Sequence, residues 1–367
     1  MTIYILLLVA IFLYALLLRI NPDSKRLRII FLFLSFGSCS LVLGLRAYYI
    51  GEDTASYITI FNFTNSIPLH ETLTNSSIRI PYFIDYNSSA AVESGFLLWC
   101  KFIHIFSNNQ QVFLFMTAAL TCFLFAKFIY DNCGKNVFYP TIIFLCESIF
   151  MNSFNLVRQM LACAIAIQAY TLLKNNKFLK AIAVIIIAFF IHHTAIVSVV
   201  LIPIFWIFNG SKYKKRKFNY IAICVFLLPF LLAGMRKEVS LLFSNYAAYY
   251  INNSVQNFIG IGTVIFLFVE IIGIIYMHHN NFKVSESVEV SLLTILSVAF
   301  ELSGLKVTIF LRMALYFRAY LLLFFNKLFK TLNPKYKNFV QLIVLCLLIF
   351  FYLSYANTPA RRYSFFM

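Results

Sequence analysis

A few residue types able to do chemistry recur at separate points of this chain, each beside an apolar run that makes it costly. Arg46 is followed by Glu52 and Asp53, Arg158 by Gln159, His192 by His193, and Arg312 by Tyr316. Glu93, Glu147 and Glu301 border further apolar runs, and Glu270 and Arg318 lie inside them. A charge within a membrane span costs about 2.5–3.5 kcal/mol or more on insertion, so such residues generally line a cavity or a site. Arginine grips phosphate through a planar fork that stays charged. Histidine titrates near neutral pH and suits proton transfer. A carboxylate such as Asp53 or Glu52 can take the proton of an attacking hydroxyl. Several arginines at a membrane–water boundary suit a diphosphate carried on a lipid. Plainer roles exist for each residue alone: Arg46 can snorkel, His192 can be a satisfied core histidine, and Asp53 can orient Arg46 or cap a helix at Thr54. The case for a site rests on arginines, a histidine and carboxylates from several segments meeting at one depth.

The elements that must position them are membrane spans. Of 367 residues, 62% are hydrophobic and 12% charged, against roughly 45–50% apolar and about 25% charged for soluble globular chains. That excludes a soluble enzyme, and disorder requires the opposite composition. Apolar runs near 2–18, 29–44, 112–129, 137–151, 156–173, 179–191, 195–208, 220–234, 259–277, 288–304, 309–326 and 339–356 predict about 12 transmembrane helices, each near the length that crosses a bilayer of about 30 Å. The expected class is a single all-α polytopic integral membrane domain over 1–367. A net charge of +17 would suggest nucleic acid in a soluble chain. Here it reads as loop anchoring, and no nucleic-acid partner is expected.

Basic residues set the orientation. Arg19, Lys25, Arg26 and Arg28 follow the first run, which puts that loop inside. Most of the 30 Lys and Arg residues then fall inside if 95–106 does not span but lies on the outer face or re-enters as a short amphipathic cover. Both termini and two long segments, 45–111 and 235–258, are then outside, as is the cluster of candidate residues. Tyr246, Tyr249 and Tyr250 in the second segment can stack on sugars or serve as interface aromatics. The eight cysteines form no CxxC pair and read as small core residues. No internal repeat and no cleavable signal peptide are apparent.

At these same residues the sequence resembles the Wzy/EpsG-type polysaccharide polymerases. Arg46-Ala-Tyr-Tyr-Ile-Gly51-Glu-Asp53-Thr54-Ala-Ser-Tyr57 resembles that family's R…G-x-D-T-x-x-Y signature, and Glu93-Ser-Gly95-Phe96 its E-x-G-[FY]. Asn155-Leu-Val-Arg158-Gln159 matches N-x-x-R-Q, His192-His-Thr194-Ala195 matches H-x-[ST]-A, and Arg312-Met-Ala-Leu-Tyr316-Phe317 is similar to a late R-x-x-x-Y-F. The elements come in family order over about residues 40–320. Glu52 and His193 are additional to the pattern, and the last span and C-terminal tail carry no match.

The resemblance implies a GT-C-like glycosyltransferase in the bacterial inner membrane. It would join undecaprenyl-diphosphate-linked oligosaccharide repeat units on the periplasmic face into O-antigen, capsule or a related surface polysaccharide. It implies no cofactor and no metal, and a chain-length regulator as a partner beside the bilayer and the lipid-linked substrates. Carried onto this chain, Asp53, His192 and Arg158 are the catalytic candidates. Arg46, Glu52, Tyr57, Glu93, Gln159, Arg312 and Tyr316 are the substrate-binding ones. Asp53 is the first choice of base, with Glu93 or Glu52 as alternatives. Two rival readings share features: an O-antigen ligase-like transferase, with the same lipid-diphosphate donor, and a flippase for the lipid-linked unit, for which Glu270 and Arg318 within spans would be expected.

Overall fold

The computed structural model describes residues 2–81, 89–208, 214–235, 261–357 and 363–364. The predicted tyrosines of the 235–258 segment lie outside the described residues. Apolar runs taken out of water can satisfy their backbone only internally, and the described chain is helical apart from one hairpin. It starts with α1 (Thr2–Tyr14) and α2 (Leu16–Ile20) and returns as α3 (Lys25–Gly44), whose first turn is capped by the Ser24 side chain accepting from the Leu27 amide. Between α3 and α7 (Gln110–Cys133) lie α4 (Thr54–Thr64), α5 (Leu69–Thr74), the antiparallel strands β1 (Ser77–Pro81) and β2 (Ser89–Glu93), and α6 (Ser94–His104). Ser77 stands opposite Glu93 in the hairpin. Short elements follow: α8 (Phe138–Cys146), α9 (Ser148–Asn155), α10 (Val157–Ala166), α11 (Gln168–Lys174), α12 (Phe178–Ile191), a 3₁₀ segment (His193–Val200) and α13 (Leu201–Phe208). The chain closes with α14 (Lys214–Gly234), α15 (Ile261–His279), α16 (Ser287–Gly304), α17 (Thr308–Arg318), α18 (Leu321–Thr331) and α19 (Pro334–Ala356).

Among the described residues seven helices are long and apolar enough to cross a membrane, or eight if α17 and α18, bent by 50°, form one span. The all-α membrane class is therefore observed, with fewer full-length helices than the dozen expected. The remaining four predicted spans are α8 with α9, α10 with α11, α12, and the 3₁₀ segment with α13. Their breaks have visible causes. Glu147 is extended (φ −77°, ψ 173°) between α8 and α9, Leu156 leaves the helical region between α9 and α10, and His192 is extended (φ −158°, ψ 119°) after α12. Each break falls on or beside a polar residue with an engagement that a straight helix would not reach.

Segment 95–106 does form a separate amphipathic helix. α6 has 11 residues, about 16 Å at 1.5 Å per residue and too short to cross. Phe96, Leu97, Cys100 and Ile103 bury one face, while Phe102 is exposed. Lys101 Nζ donates to the carbonyls of Thr64 and Ile67, and the His104 ring stacks on Phe61 with Nε2 on the Phe61 carbonyl at 2.8 Å. The two polar residues that make this segment a poor span thus hold it over the end of α4, where the helix dipole favours the Lys101 cation.

Alternating traverses divide the molecule into two ends. The Asp23–Lys135 pair, the Arg28 bond to the Gly134 carbonyl and the Lys174–Glu286–Lys327 group share one end. Arg46, Asp53, Glu93, Arg158, His192 and Arg312 share the other. The cysteines of the described chain are free, six buried and two exposed.

Candidate active site

The motif residues fold onto one another, each element holding the next. The first contact depends on a glycine. Gly51 has φ +89°, and a Cβ there would lie 2.4 Å from the Phe154 carbonyl oxygen; only a residue without a side chain fits. That approach brings the Arg46 segment against α9. Arg46 Nη2 donates to the Phe154 carbonyl at 3.2 Å, Nη1 to the Leu43 carbonyl, and Nε to Thr54 Oγ1 at 3.3 Å. The Glu52 amide donates to Asn155 Oδ1 at 3.3 Å. Arg46 is 1% exposed. Burial lowers its pKa to about 10, which leaves it charged at neutral pH. Its geometry is that of a brace joining the end of α3 to the end of α9.

The second contact centres on Glu93. Gly95 lets α6 approach α12 closely, since a Cβ there would lie 2.6 Å from the Phe190 carbonyl oxygen. Glu93 is thereby set at the α12 break. Its Oε2 accepts from Arg158 Nη1 at 2.6 Å, its Oε1 lies 2.8 Å from His192 Nδ1, and Oε1 also accepts from the His193 amide at 3.3 Å. Burial alone would raise the Glu93 pKa; Arg158 and then His192 outweigh it and hold the carboxyl far below the usual range. Arg158 sits in the first turn of α10, flanked by the faces of Tyr57 at 5.8 Å and Phe96 at 5.9 Å. One buried carboxylate thus fixes a guanidinium and an imidazole from two different broken helices.

The third contact joins α17. Gln159 Nε2 donates to the Arg312 carbonyl, Cys163 Sγ donates to the Leu315 carbonyl at 3.7 Å, and Thr194 Oγ1 donates to Tyr316 Oη at 3.2 Å. Gln159 and Tyr316 therefore position α17 against α10 and the 3₁₀ segment. Arg312 itself is half-buried and acts electrostatically on Asp53 and His192.

Asp53 precedes the first residue of α4 without capping it through its side chain. It is half-buried, whereas Glu52 is exposed. Burial raises the Asp53 pKa above its ordinary value against the pull of Arg312 and Arg158, with Glu52 adding to the rise. A carboxylate of this kind can accept a proton near neutral pH more readily than an unperturbed one.

The structure thus brings together Asp53, Tyr57, Glu93, Arg158, His192 and Arg312, with Arg46, Gln159 and Tyr316 as supports and Glu52 at the rim. Among the described residues no three His, Cys, Asp or Glu side chains converge as metal ligands would. Two features escape a reading of the sequence. The tail returns to the site, where the Ala47 amide donates to the Ser364 carbonyl at 3.0 Å and Tyr363 Oη donates to the Val42 carbonyl at 3.0 Å; its lack of a motif gave no signal. A second buried cluster also forms, with Arg318 bonding Glu147 through Nε at 2.7 Å and Glu301 through Nη1. The sequence marked those residues as unusual but not as partners. A family model described as the EpsG family matches residues 29–366. No curated protein and no solved structure matches the chain.

Proposed function

Because the chain belongs to the EpsG family, and so is a polysaccharide-polymerase-type membrane protein, we propose that it is a GT-C-like glycosyltransferase that extends a polysaccharide from undecaprenyl-diphosphate-linked repeat units at the periplasmic face. The observation that carries this reading is the convergence of two guanidiniums, Arg158 and Arg312, and the His192 imidazole around a single fixed carboxylate, with Asp53 beside it. Glu93 is engaged by Arg158, His192 and the His193 amide, so it positions the first two rather than serving as base. Asp53 takes the proton of the acceptor hydroxyl. The freed oxygen bonds to the anomeric carbon of the donor chain as the bond from that carbon to the diphosphate oxygen breaks. The electron pair leaves on undecaprenyl diphosphate, whose growing charge Arg158 and Arg312 stabilise. Such preorganised donors contribute about 10²–10³ in rate each. His192, held through Nδ1, presents its other ring nitrogen toward the same charge. Arg46 holds the Asp53 loop rather than a phosphate, since its donors serve the Leu43 and Phe154 carbonyls and the Thr54 hydroxyl.

The in vivo test is removal of the gene product. Loss of a polymerase leaves one repeat unit on the final acceptor. Long chains stranded on undecaprenyl diphosphate would instead support the ligase reading, and units retained on the inner face the flippase reading.

A further inference from the structure

The last four carbonyls of a helix have no partner within it, and at the end of α3 each finds one elsewhere. The Leu41 carbonyl accepts from the Leu45 amide at 2.8 Å, the Leu43 carbonyl from Arg46 Nη1, and the Gly44 carbonyl from Gln111 Nε2. The Val42 carbonyl takes the Tyr363 hydroxyl, which reaches it from the C-terminal tail at 3.0 Å. Burial pushes the Tyr363 pKa up to about 12, so this hydroxyl keeps the proton it donates at neutral pH.

From that anchor the tail holds the loop that carries Asp53. The Ala47 amide donates to the Ser364 carbonyl at 3.0 Å, and the Tyr49 hydroxyl bonds Ser364 Oγ. The Ala47 carbonyl in turn accepts from the Ile50 amide at 3.0 Å, and the Ile50 carbonyl accepts from Thr54 Oγ1 at 2.6 Å. The chain of bonds therefore runs from Ser364 to the residue after Asp53. Asp53 makes no side-chain cap bond to α4, so its place follows from that of the loop. Tyr48 and Tyr49 are exposed, and burial alone gives the middle of the loop little to hold it. The Tyr363 ring adds a further hold. It meets Tyr4 edge-on at 6.2 Å, Tyr4 meets Phe154 edge-on at 6.0 Å, and Arg46 stands over the Phe154 ring at 5.5 Å. The tail thus rests on the same brace that joins α3 to α9.

Resting on the polymerase reading, we propose that Tyr363 and Ser364 are positioning residues, a clasp that fixes the 47–53 loop against the end of α3 and so sets where Asp53 stands. The reaction then depends on a segment that carries none of the motif residues.

The test uses the purified full-length protein in nanodiscs, a variant ending at residue 362, and Tyr363→Phe. Hydrogen exchange followed by mass spectrometry reads the loop. Turnover of the lipid-linked repeat unit extracted from cells lacking this protein reads the reaction. Ending the chain at 362 should speed exchange across 47–53 while α7 keeps its protection. It should lower kcat by about tenfold or more and leave KM within about twofold, as a misplaced reacting group does. Asp53, released toward water, loses part of the burial that raises its pKa. It then stays ionised to lower pH, and the acid limb of kcat moves down. Tyr363→Phe keeps the ring and loses the bond to Val42, so kcat should fall by only about threefold, the loss of one ordinary hydrogen bond. Exchange and kcat both unchanged on shortening would overturn the proposal. Lower abundance with kcat per folded molecule and the acid limb unchanged would overturn it too, because a purely structural tail gives that result. If the shortened chain does not fold, Tyr363→Phe decides, and an unchanged kcat there overturns the proposal. If wild type turns nothing over, the polymerase reading fails by itself, and exchange alone then decides whether the tail holds the loop.

Discussion

The two buried charge clusters are mirror images. In one, a single carboxylate, Glu93, is shared by the Arg158 guanidinium and the His192 imidazole. In the other, a single guanidinium, Arg318, is shared by two carboxylates, Glu147 and Glu301. Both are almost fully buried, and both join helices that break at one of their members. Their neighbours differ. Half-buried Arg312 stands near the first, and the fully buried Glu270 lies near the second. On the function proposed above the first cluster serves the leaving diphosphate, whereas the second ties the break between α8 and α9 to α16 and α17.

The largest effect on this comparison should come from removing either hub. Glu93→Ala leaves Arg158 and His192 buried without their shared acceptor, and Arg318→Met leaves Glu147 and Glu301 without their cation. Each should cost about 3–5 kcal/mol, seen as loss of folded protein by fluorescence-detected size-exclusion chromatography. Combining Arg318→Met with Glu147→Gln and Glu301→Gln should restore most of the loss, because the uncompensated charges go together. A silent Arg318→Met would mean that the second cluster does not bind the fold.

Next in size is Asp53→Asn. With the protein equally abundant, polymerisation should fall by about 10²–10⁴, the usual range for a lost general base. A loss below tenfold would return Asp53 to a purely structural role. The smallest effect tests the electrostatics at the rim. Glu52 contributes to raising Asp53, so Glu52→Gln should lower the Asp53 pKa. Asp53 would then stay ionised to lower pH, and the acid limb of the activity profile should move down by about a few tenths of a pH unit. A shift to higher pH would contradict the assignment.

What could be read from the sequence divides along the same line as the helices. α3, α7, α14, α15, α16 and α19 are continuous runs whose apolar length alone predicts them. The apolar runs of α8 to α13 predict four spans, yet these elements are short or broken. Composition sees only that Glu147, Leu156 and His192 sit among apolar neighbours, not that the backbone turns there to meet a distant partner. Motif spacing was informative for the site because Gly51 and Gly95 each mark a close backbone approach. It was blind to pairings such as Gln159 with the Arg312 carbonyl and Arg46 with the Phe154 carbonyl, since backbone acceptors leave no trace in residue type. Hence Arg46 read as a phosphate ligand, while the folded chain gives it the geometry of a brace.

The most direct test of the central claim uses purified protein, a lipid-linked repeat unit and a gel that resolves product lengths. Wild type should give a ladder of lengthening chains. Arg312→Ala, with unchanged abundance, should slow extension by about 10²–10³, leaving single units. A full ladder from Arg312→Ala, or no extension by wild type, would contradict the account.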